Sequence, residues 1–171
     1  LNPQDRKPTT FLDVSLGNLR PLRIQVLGEV AQPGAYTVSP SATLFSALYY
    51  FNGPTTMGSL RDIRLIRGGK EIASIDFYDY LLTGKKPRDQ KLQLDDVIFT
   101  PKRLKTVTIE GEINRPGIFE LKPEEKLTDL IAMAGELKIT AYLDRAQIDR
   151  IVPFDKRAEL GMDRMFTDVS L

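Results

Sequence analysis

The sequence predicts an α+β fold built from two tandem copies of one small mixed module, and three observations carry that prediction. The run Gly28-Glu29-Val30-Ala31-Gln32-Pro33-Gly34-Ala35-Tyr36-Thr37-Val38-Ser39-Pro40 recurs 83 residues later as Gly111-Glu112-Ile113-Asn114-Arg115-Pro116-Gly117-Ile118-Phe119-Glu120-Leu121-Lys122-Pro123. An apolar stripe at i, i+3, i+4, i+7 follows both runs: Leu44, Ala47, Leu48 and Phe51, then Leu127, Leu130, Ile131 and Ala134. Each stripe is succeeded by a glycine, Gly53 or Gly135, able to stop a helix in the left-handed conformation. Repetition of strand signal, helix signal and stop at one offset is most simply two copies of one unit.

In chain order, alternation of apolar and polar residues predicts strands over Ile24–Val30 and Ala35–Val38, repeated as Val107–Ile113 and Ile118–Leu121. Pro33-Gly34 and Pro116-Gly117 fit the central positions of a type II turn, because proline presets φ and glycine tolerates positive φ. Thr43 is an N-cap for the first helix, a position held by Lys126 in the second copy. Asp62–Arg67 and Glu71–Asp76 read as strands across Gly68-Gly69, and Asp96–Thr100 as a closing strand stopped by Pro101. The resulting domains are residues 23–103 and 104–171, preceded by an N-terminal segment, 1–22. Phe11-Leu12-Asp13-Val14-Ser15-Leu16 is echoed by Phe166-Thr167-Asp168-Val169-Ser170-Leu171 and more loosely by Phe77 to Leu81, so the N-terminal segment reads as the end of a preceding repeat. The second copy has no counterpart of Leu92–Phe99, so either this module is truncated or another segment completes it; the segment Phe11 to Leu16, or a neighbouring chain, is expected to pair with or cover the sheet edge this leaves open.

Composition narrows the chemistry. Of the 171 residues 42% are hydrophobic, enough for a buried core, yet no run approaches the roughly 20 apolar residues that span a bilayer. Leu1 to Pro8 show neither the apolar run nor the cleavage site of a secretory signal, and the opening without Met reads as an excised fragment. Twenty-four basic residues against 23 acidic ones give a net charge of +1, which argues against nucleic acid as a partner. With no histidine and no cysteine, the usual proton relay, the thiolate nucleophile and the common zinc ligands are missing. Arg67-Gly68-Gly69-Lys70 and Thr83-Gly84-Lys85-Lys86 lack phosphate-loop spacing and read as turns. Asp95-Asp96 and the pair Asp76 and Asp79 lack the converging loop of a calcium site, so Asp95-Asp96 reads as a solvated turn before a strand. No catalytic residue, metal or cofactor is expected.

The repeated Gly-Glu-(Val/Ile)-x-x-Pro-Gly-x-(Tyr/Phe) pattern with its apolar helix resembles the soluble-ligand-binding β-grasp (SLBB) domain. Leu60 to Arg67 and Leu94 to Pro101 are similar to later parts of that domain in outer-membrane polysaccharide export proteins. The resemblance implies two β-grasp modules, each a small mixed sheet with one main helix. It further implies a periplasmic, non-catalytic part of a capsule or exopolysaccharide exporter that stacks in rings along the polymer path and is linked to the outer membrane through other parts of its parent. The partners implied are a weakly held polysaccharide, further copies of the parent protein and an inner-membrane polysaccharide co-polymerase. The family commonly has two glycines after the helix, where this chain has Asn52-Gly53 and Gly135-Glu136. A generic β-grasp module binding a small ligand or a protein is the alternative reading.

The candidate ligand- or subunit-contact residues are Glu29, Gln32, Glu112 and Arg115, at equivalent places beside the Pro-Gly dipeptides, and Arg61, Arg64 and Arg67. With Lys70, the arginines add positive charge to the strands after the helix, while Lys102, Arg103 and Lys105 mark the junction. Tyr49 and Tyr50 are placed to stack on sugars; Tyr36 matches Phe119 and reads as core.

Overall fold

The computed structural model describes residues 12–15, 17, 19–85 and 89–171. The chain divides into one compact unit ending at Lys102 and a second spanning Arg103–Leu171.

The first unit is a five-stranded sheet. Strands β1 (Leu22–Gly28), β2 (Gly34–Val38), β3 (Ile63–Arg67), β4 (Lys70–Ile75) and β5 (Val97–Thr100) lie in the order β2-β1-β5-β3-β4. The central β5 runs parallel to β1, with Val26 opposite Ile98, and antiparallel to β3, with Leu65 opposite Ile98. Inward-facing Ile24, Val26, Ile63, Leu65 and Ile98 are fully buried against Leu44, Ala47 and Phe51. Those last residues belong to α1 (Leu44–Ala47) and the 3₁₀ turn that extends it, Leu48–Phe51. Thr43 caps α1 as expected, accepting from the Ser46 amide at 3.2 Å. The two-residue turn between β3 and β4 uses Gly68 and Gly69 with φ of 55° and 76°, both in the left-handed region that a tight right-twisted hairpin demands. Helix α2 (Phe77–Thr83) closes the end of the core, with Phe77 and Tyr80 packed on Phe45 at ring distances of 5.3 and 4.8 Å. Gly84 ends it at φ 70°, so Thr83 to Lys85 form a helix stop; Lys86 lies outside the described residues.

The second unit repeats the first half of this plan. Strands β6 (Lys105–Ile109) and β7 (Gly117–Leu121) pair with the register of β1 and β2 residue for residue: Lys105 opposite Leu121 answers Leu22 opposite Val38, and Ile109 opposite Gly117 answers Val26 opposite Gly34. Helix α3 (Leu127–Met133) begins at the position equivalent to Leu44, and the Asp129 carboxylate accepts the Lys126 amide at 2.8 Å in place of a threonine cap. The plans then diverge. Strands β8 (Ala146–Ile151) and β9 (Arg164–Val169) are antiparallel, but α4 (Phe154–Leu160) stands where the first unit has a two-residue turn. Pro153 before its first residue and Gly161 after its last, at φ 64°, are the start and stop signals that mark this insertion in the sequence.

Three expectations are corrected. No type II turn forms at Pro33-Gly34 or Pro116-Gly117, because both glycines already pair in strands. The left-handed positions are Gly28 and Gly111, at φ 90° and 95°, after which the Val30 and Ile113 amides donate back to the Gly28 and Gly111 carbonyls at 2.9 and 2.8 Å. Val30 and Ile113 must turn inward to bridge Pro54 and Leu137, which requires a wide loop instead of a tight turn. The echo of Phe77 to Leu81 in Phe166 to Val169 carries no shared structure, since one is helix and the other strand. Asp96 is not a solvated turn residue but fully buried. As for the expectation on Phe11 to Leu16, Phe11 and Leu16 lie outside the described residues; Leu12 and Val14 are exposed and belong to no strand.

Substituting Leu48, buried at 7% exposure, with alanine should cost about 2–5 kcal/mol. The equivalent Ile131→Ala should cost less, because Ile131 is only half-buried. Urea unfolding followed through resolved amide signals of each unit measures both.

Candidate functional site

Two sets of residues carry the polar pattern noted in the sequence, and both are built by the turns and strand ends just described. The first is the wide loop between the leading strands of each unit. The Glu29 carbonyl accepts the Thr55 amide at 2.9 Å, and the Glu112 carbonyl accepts the Lys138 amide at 3.0 Å. The Ala31 amide donates to the Gly53 carbonyl and the Asn114 amide to the Glu136 carbonyl, both at 3.1 Å. One backbone clasp thus fastens each loop to the segment after its helix, at equivalent positions in both units. The Glu29 amide also donates to the Thr100 carbonyl at 2.9 Å, tying the loop to β5.

The side chains differ between the copies. Glu112 accepts from the Thr140 hydroxyl at 2.5 Å and lies 3.8 Å from the Lys138 ammonium. Gln32 is exposed, and its carbonyl receives the Tyr36 hydroxyl at 2.6 Å. Arg115 is exposed at the equivalent position and lies over Gly135, where an added Cβ would come within 2.8 Å of its Nε. A side chain at residue 135 is therefore disfavoured by its φ of 77°, and it would displace the exposed Arg115 side chain.

The second set is the arginine row, and the structure separates its members. Arg61 is 7% exposed and donates through Nε and Nη2 to Asp76 Oδ2 at 3.2 and 3.0 Å, with its guanidinium 4.6 Å from the Tyr78 ring centre. Asp76 is at the same time the N-cap of α2, accepting the Tyr78 amide at 2.9 Å. Arg67 makes a two-pronged pair with Asp96, Nε to Oδ1 and Nη2 to Oδ2 both at 2.7 Å, and also donates to the Lys91 carbonyl at 3.1 Å. The buried Asp96 accepts the Gln93 amide at 2.7 Å as well. Arg64 is the more exposed member, paired with Asp62 and 3.6 Å from Glu71. Hydrogen bonding to Asp62 raises the Arg64 pKa, and hydrogen bonding to Asp96 raises that of Arg67, so both stay charged. Each arginine is thus matched by a carboxylate of its own unit.

The surface the sequence singled out for stacking is partly present. Tyr49 and Tyr50, at the outer side of the 3₁₀ turn, are 73% and 45% exposed. Tyr36 is half-buried and tilted against Phe51, with ring centres 6.0 Å apart. Among the described residues no group of three or more carboxylate, imidazole or thiol side chains converges as a metal site, and no helix is long and apolar enough to cross a membrane.

A five-stranded mixed sheet in this order, grasping one main helix and followed by a second unit that repeats its leading hairpin and helix, defines a tandem β-grasp protein of α+β class. The SLBB domain model matches residues 23–76 and 106–163, and the chain belongs to that family. It is also 31% identical over 109 residues to the "Polysialic acid transport protein KpsD" of Escherichia coli, in two curated sequences of that name. That match covers 63% of this chain and 19% of the relative, so the chain spans about a fifth of the length of the curated proteins it resembles.

Replacing Arg61 with leucine removes the cation that balances Asp76 in a nearly dry site, and should destabilise the first unit by about 3–5 kcal/mol. Arg64→Ala, at a pair open to solvent, should change stability by about 1 kcal/mol or less. Thermal melts of the two variants beside the parent chain check the contrast.

Proposed function

We propose that this chain is a non-catalytic, periplasmic part of a capsule or exopolysaccharide export protein, in which the SLBB units help assemble subunits into a ring along the polymer path. The observation that carries the reading is the pairing of two SLBB units in one chain with similarity to a polysialic acid transport protein. The lack of histidine and cysteine in the sequence is in keeping with a role that needs no proton relay or thiol.

The electrostatics favour packing between subunits over tight glycan capture. An acidic polymer is held by cations with unspent charge, and Arg61, Arg64 and Arg67 are already matched by Asp76, Asp62 and Asp96. Of the three pairs, the solvent-facing one of Arg64 is placed to set orientation between neighbours. Glu29, Gln32, Glu112 and Arg115, on loops clasped at equivalent places, suit the same role. Glycan contact falls to exposed rings such as Tyr49 and Tyr50, which offer stacking without a deep pocket. Weak contact is what a sliding polymer needs, since a site that holds tightly opposes release, and repetition around a ring supplies avidity. Further copies of the parent protein and an inner-membrane co-polymerase are the protein partners in this reading.

Titration of the 171-residue chain with a short sialic acid oligomer, followed by amide chemical shifts, should give a dissociation constant of about 1 mM or weaker, with shifts centred on Tyr49 and Tyr50. Stoichiometric binding below about 1 μM would instead establish a dedicated ligand site and overturn the sliding-path reading.

A further inference from the structure

The outer face of the first unit's sheet carries a recess that the fold does not require. Along β1 the inward residues Ile24 and Val26 are fully buried, so Arg23, Gln25 and Leu27 point outward, and all three are exposed. With Gly34 and Ala35 of β2 and Asp95 of the turn before β5, they line an open depression of about 380 Å³, within the size range of small-molecule sites. Its backbone is held on both sides. Ala35 pairs with Gln25 in the β1–β2 hairpin. The Arg23 carbonyl accepts the Asp95 amide at 2.9 Å, and the Gln25 amide donates to the Asp96 carbonyl at 2.9 Å. The grip of Arg67 on buried Asp96 therefore fixes the position of Asp95 as well.

The polar groups of the recess are free to meet a ligand. Among the described residues the side chains of Arg23, Gln25 and Asp95 make no hydrogen bond or ion pair, in contrast to the matched Arg61, Arg64 and Arg67. The leading hairpin of the second unit has the same register, and at the repeat offset its inward residues keep their character, Val107 for Ile24 and Ile109 for Val26. The outward row does not: Thr106, Thr108 and Glu110 stand for Arg23, Gln25 and Leu27, and Ile118 for Ala35. A cation is replaced by a hydroxyl and an apolar residue by a carboxylate, so the repeated fold does not dictate the set found in the first unit.

This arrangement selects a ligand by charge and by shape. Arg23 offers a two-pronged donor to a carboxylate, and Gln25 beside it adds an amide donor. Asp95, an acceptor only, opposes a bare anion but takes hydrogen bonds from hydroxyl groups. Leu27 and Ala35 give apolar surface to the C–H face of a ring. A sugar that bears a carboxylate answers all of these at once. We propose that the recess is a subsite for one carboxylated sugar unit of an acidic glycan, its carboxylate on Arg23 and Gln25 and its ring hydroxyls on Asp95. The inference rests on the export reading and adds a charged subsite to the ring contacts at Tyr49 and Tyr50. A single arginine in an open recess holds weakly, as a sliding polymer requires.

The probes are methyl β-D-glucuronide, methyl β-D-glucoside, which has the same ring without the carboxylate, and acetate. Each is titrated into the labelled 171-residue chain and followed by amide shifts. The glucuronide should give saturable shifts at Arg23 to Leu27, Ala35 and Asp95, with a dissociation constant of about 10 mM, while the equivalent amides Thr106 to Glu110 stay unmoved. Glucoside and acetate should each bind there about tenfold more weakly, the first for want of the charge-assisted bond and the second for want of hydroxyls to meet Asp95. Arg23→Thr and Leu27→Glu, which install the second unit's residues at exposed positions, should each weaken the glucuronide about tenfold, and spectra outside the recess verify that the variants fold. The proposal is overturned if glucoside or acetate binds as well as the glucuronide, or if either natively folded variant binds it as the parent chain does. No shift in the recess at about 100 mM glucuronide also defeats it. Shifts confined to Tyr49 and Tyr50 would remove this subsite and leave the export reading standing. Stoichiometric binding of a sugar elsewhere, below about 1 μM, would overturn the export reading and this subsite with it.

Discussion

A strand in the middle of a mixed sheet has two hydrogen-bonding edges to satisfy and a face to bury, and in the first unit four residues, Val97–Thr100, do all of this. β5 joins two hairpins that have no other backbone connection within the sheet, β1 with β2 and β3 with β4. Ile98 sits at the point where Val26 and Leu65 meet, and its complete burial closes the core over α1. Placing a carboxylate at the head of such a strand is costly unless it is fully matched. The two-pronged bond from Arg67 and the Gln93 amide supply that match for Asp96, and they fix where β5 begins. The charged pair therefore sets register, and the apolar strand behind it supplies the burial.

The loop clasp depends on the same strand. Gly28 takes a left-handed conformation at the point where the Thr100 carbonyl would collide with any side chain, and the following Glu29 amide donates to that carbonyl. The β5 end thus dictates a glycine, the glycine dictates the turn, and the turn delivers Glu29 and Val30 to the segment behind the helix. In the second unit the same glycine and clasp recur. Ile113 remains buried and the Lys138 amide still reaches the Glu112 carbonyl, so the clasp is locally stable once the hairpin and helix form.

Much of this was legible in the sequence because the repeat preserves spacing. The leading hairpins, both helices, Thr43 as a cap and Gly135 as a stop follow from periodicity and from the conformational freedom of glycine, whereas in the first unit Asn52, at φ 60°, takes the left-handed cap position ahead of Gly53. The misplaced type II turn shows the limit of local reasoning: Pro-Gly fits such a turn, but the burial of Val30 against the far side of the unit decides the loop, and that contact is tertiary. Helix α4 carried signals, Pro153 and Gly161, that the repeat pattern obscured, because the offset that organises the first part of the unit fails after Arg150. The arginine row illustrates the same limit for sites. Charge and spacing placed Arg61, Arg64 and Arg67 together, yet whether each meets solvent or a carboxylate depends on Asp76 and Asp96, 15 and 29 residues away from Arg61 and Arg67.

Comparison of the two units also separates interactions that define the fold from those that specify completion. A hairpin and a helix can bury Ile113, Leu130, Met133 and Ala134 by themselves, which accounts for the retained order of the leading half of the second unit. The trailing pair, β8 and β9, lacks that support: most of its side chains are exposed, and its surface carries the ion pairs Arg145 with Asp168 and Arg164 with Asp149. Exposed pairs of this kind contribute little to stability. In the first unit the carboxylate at the head of β5 and the alternation of apolar residues behind it are what bind the trailing hairpin to the leading one.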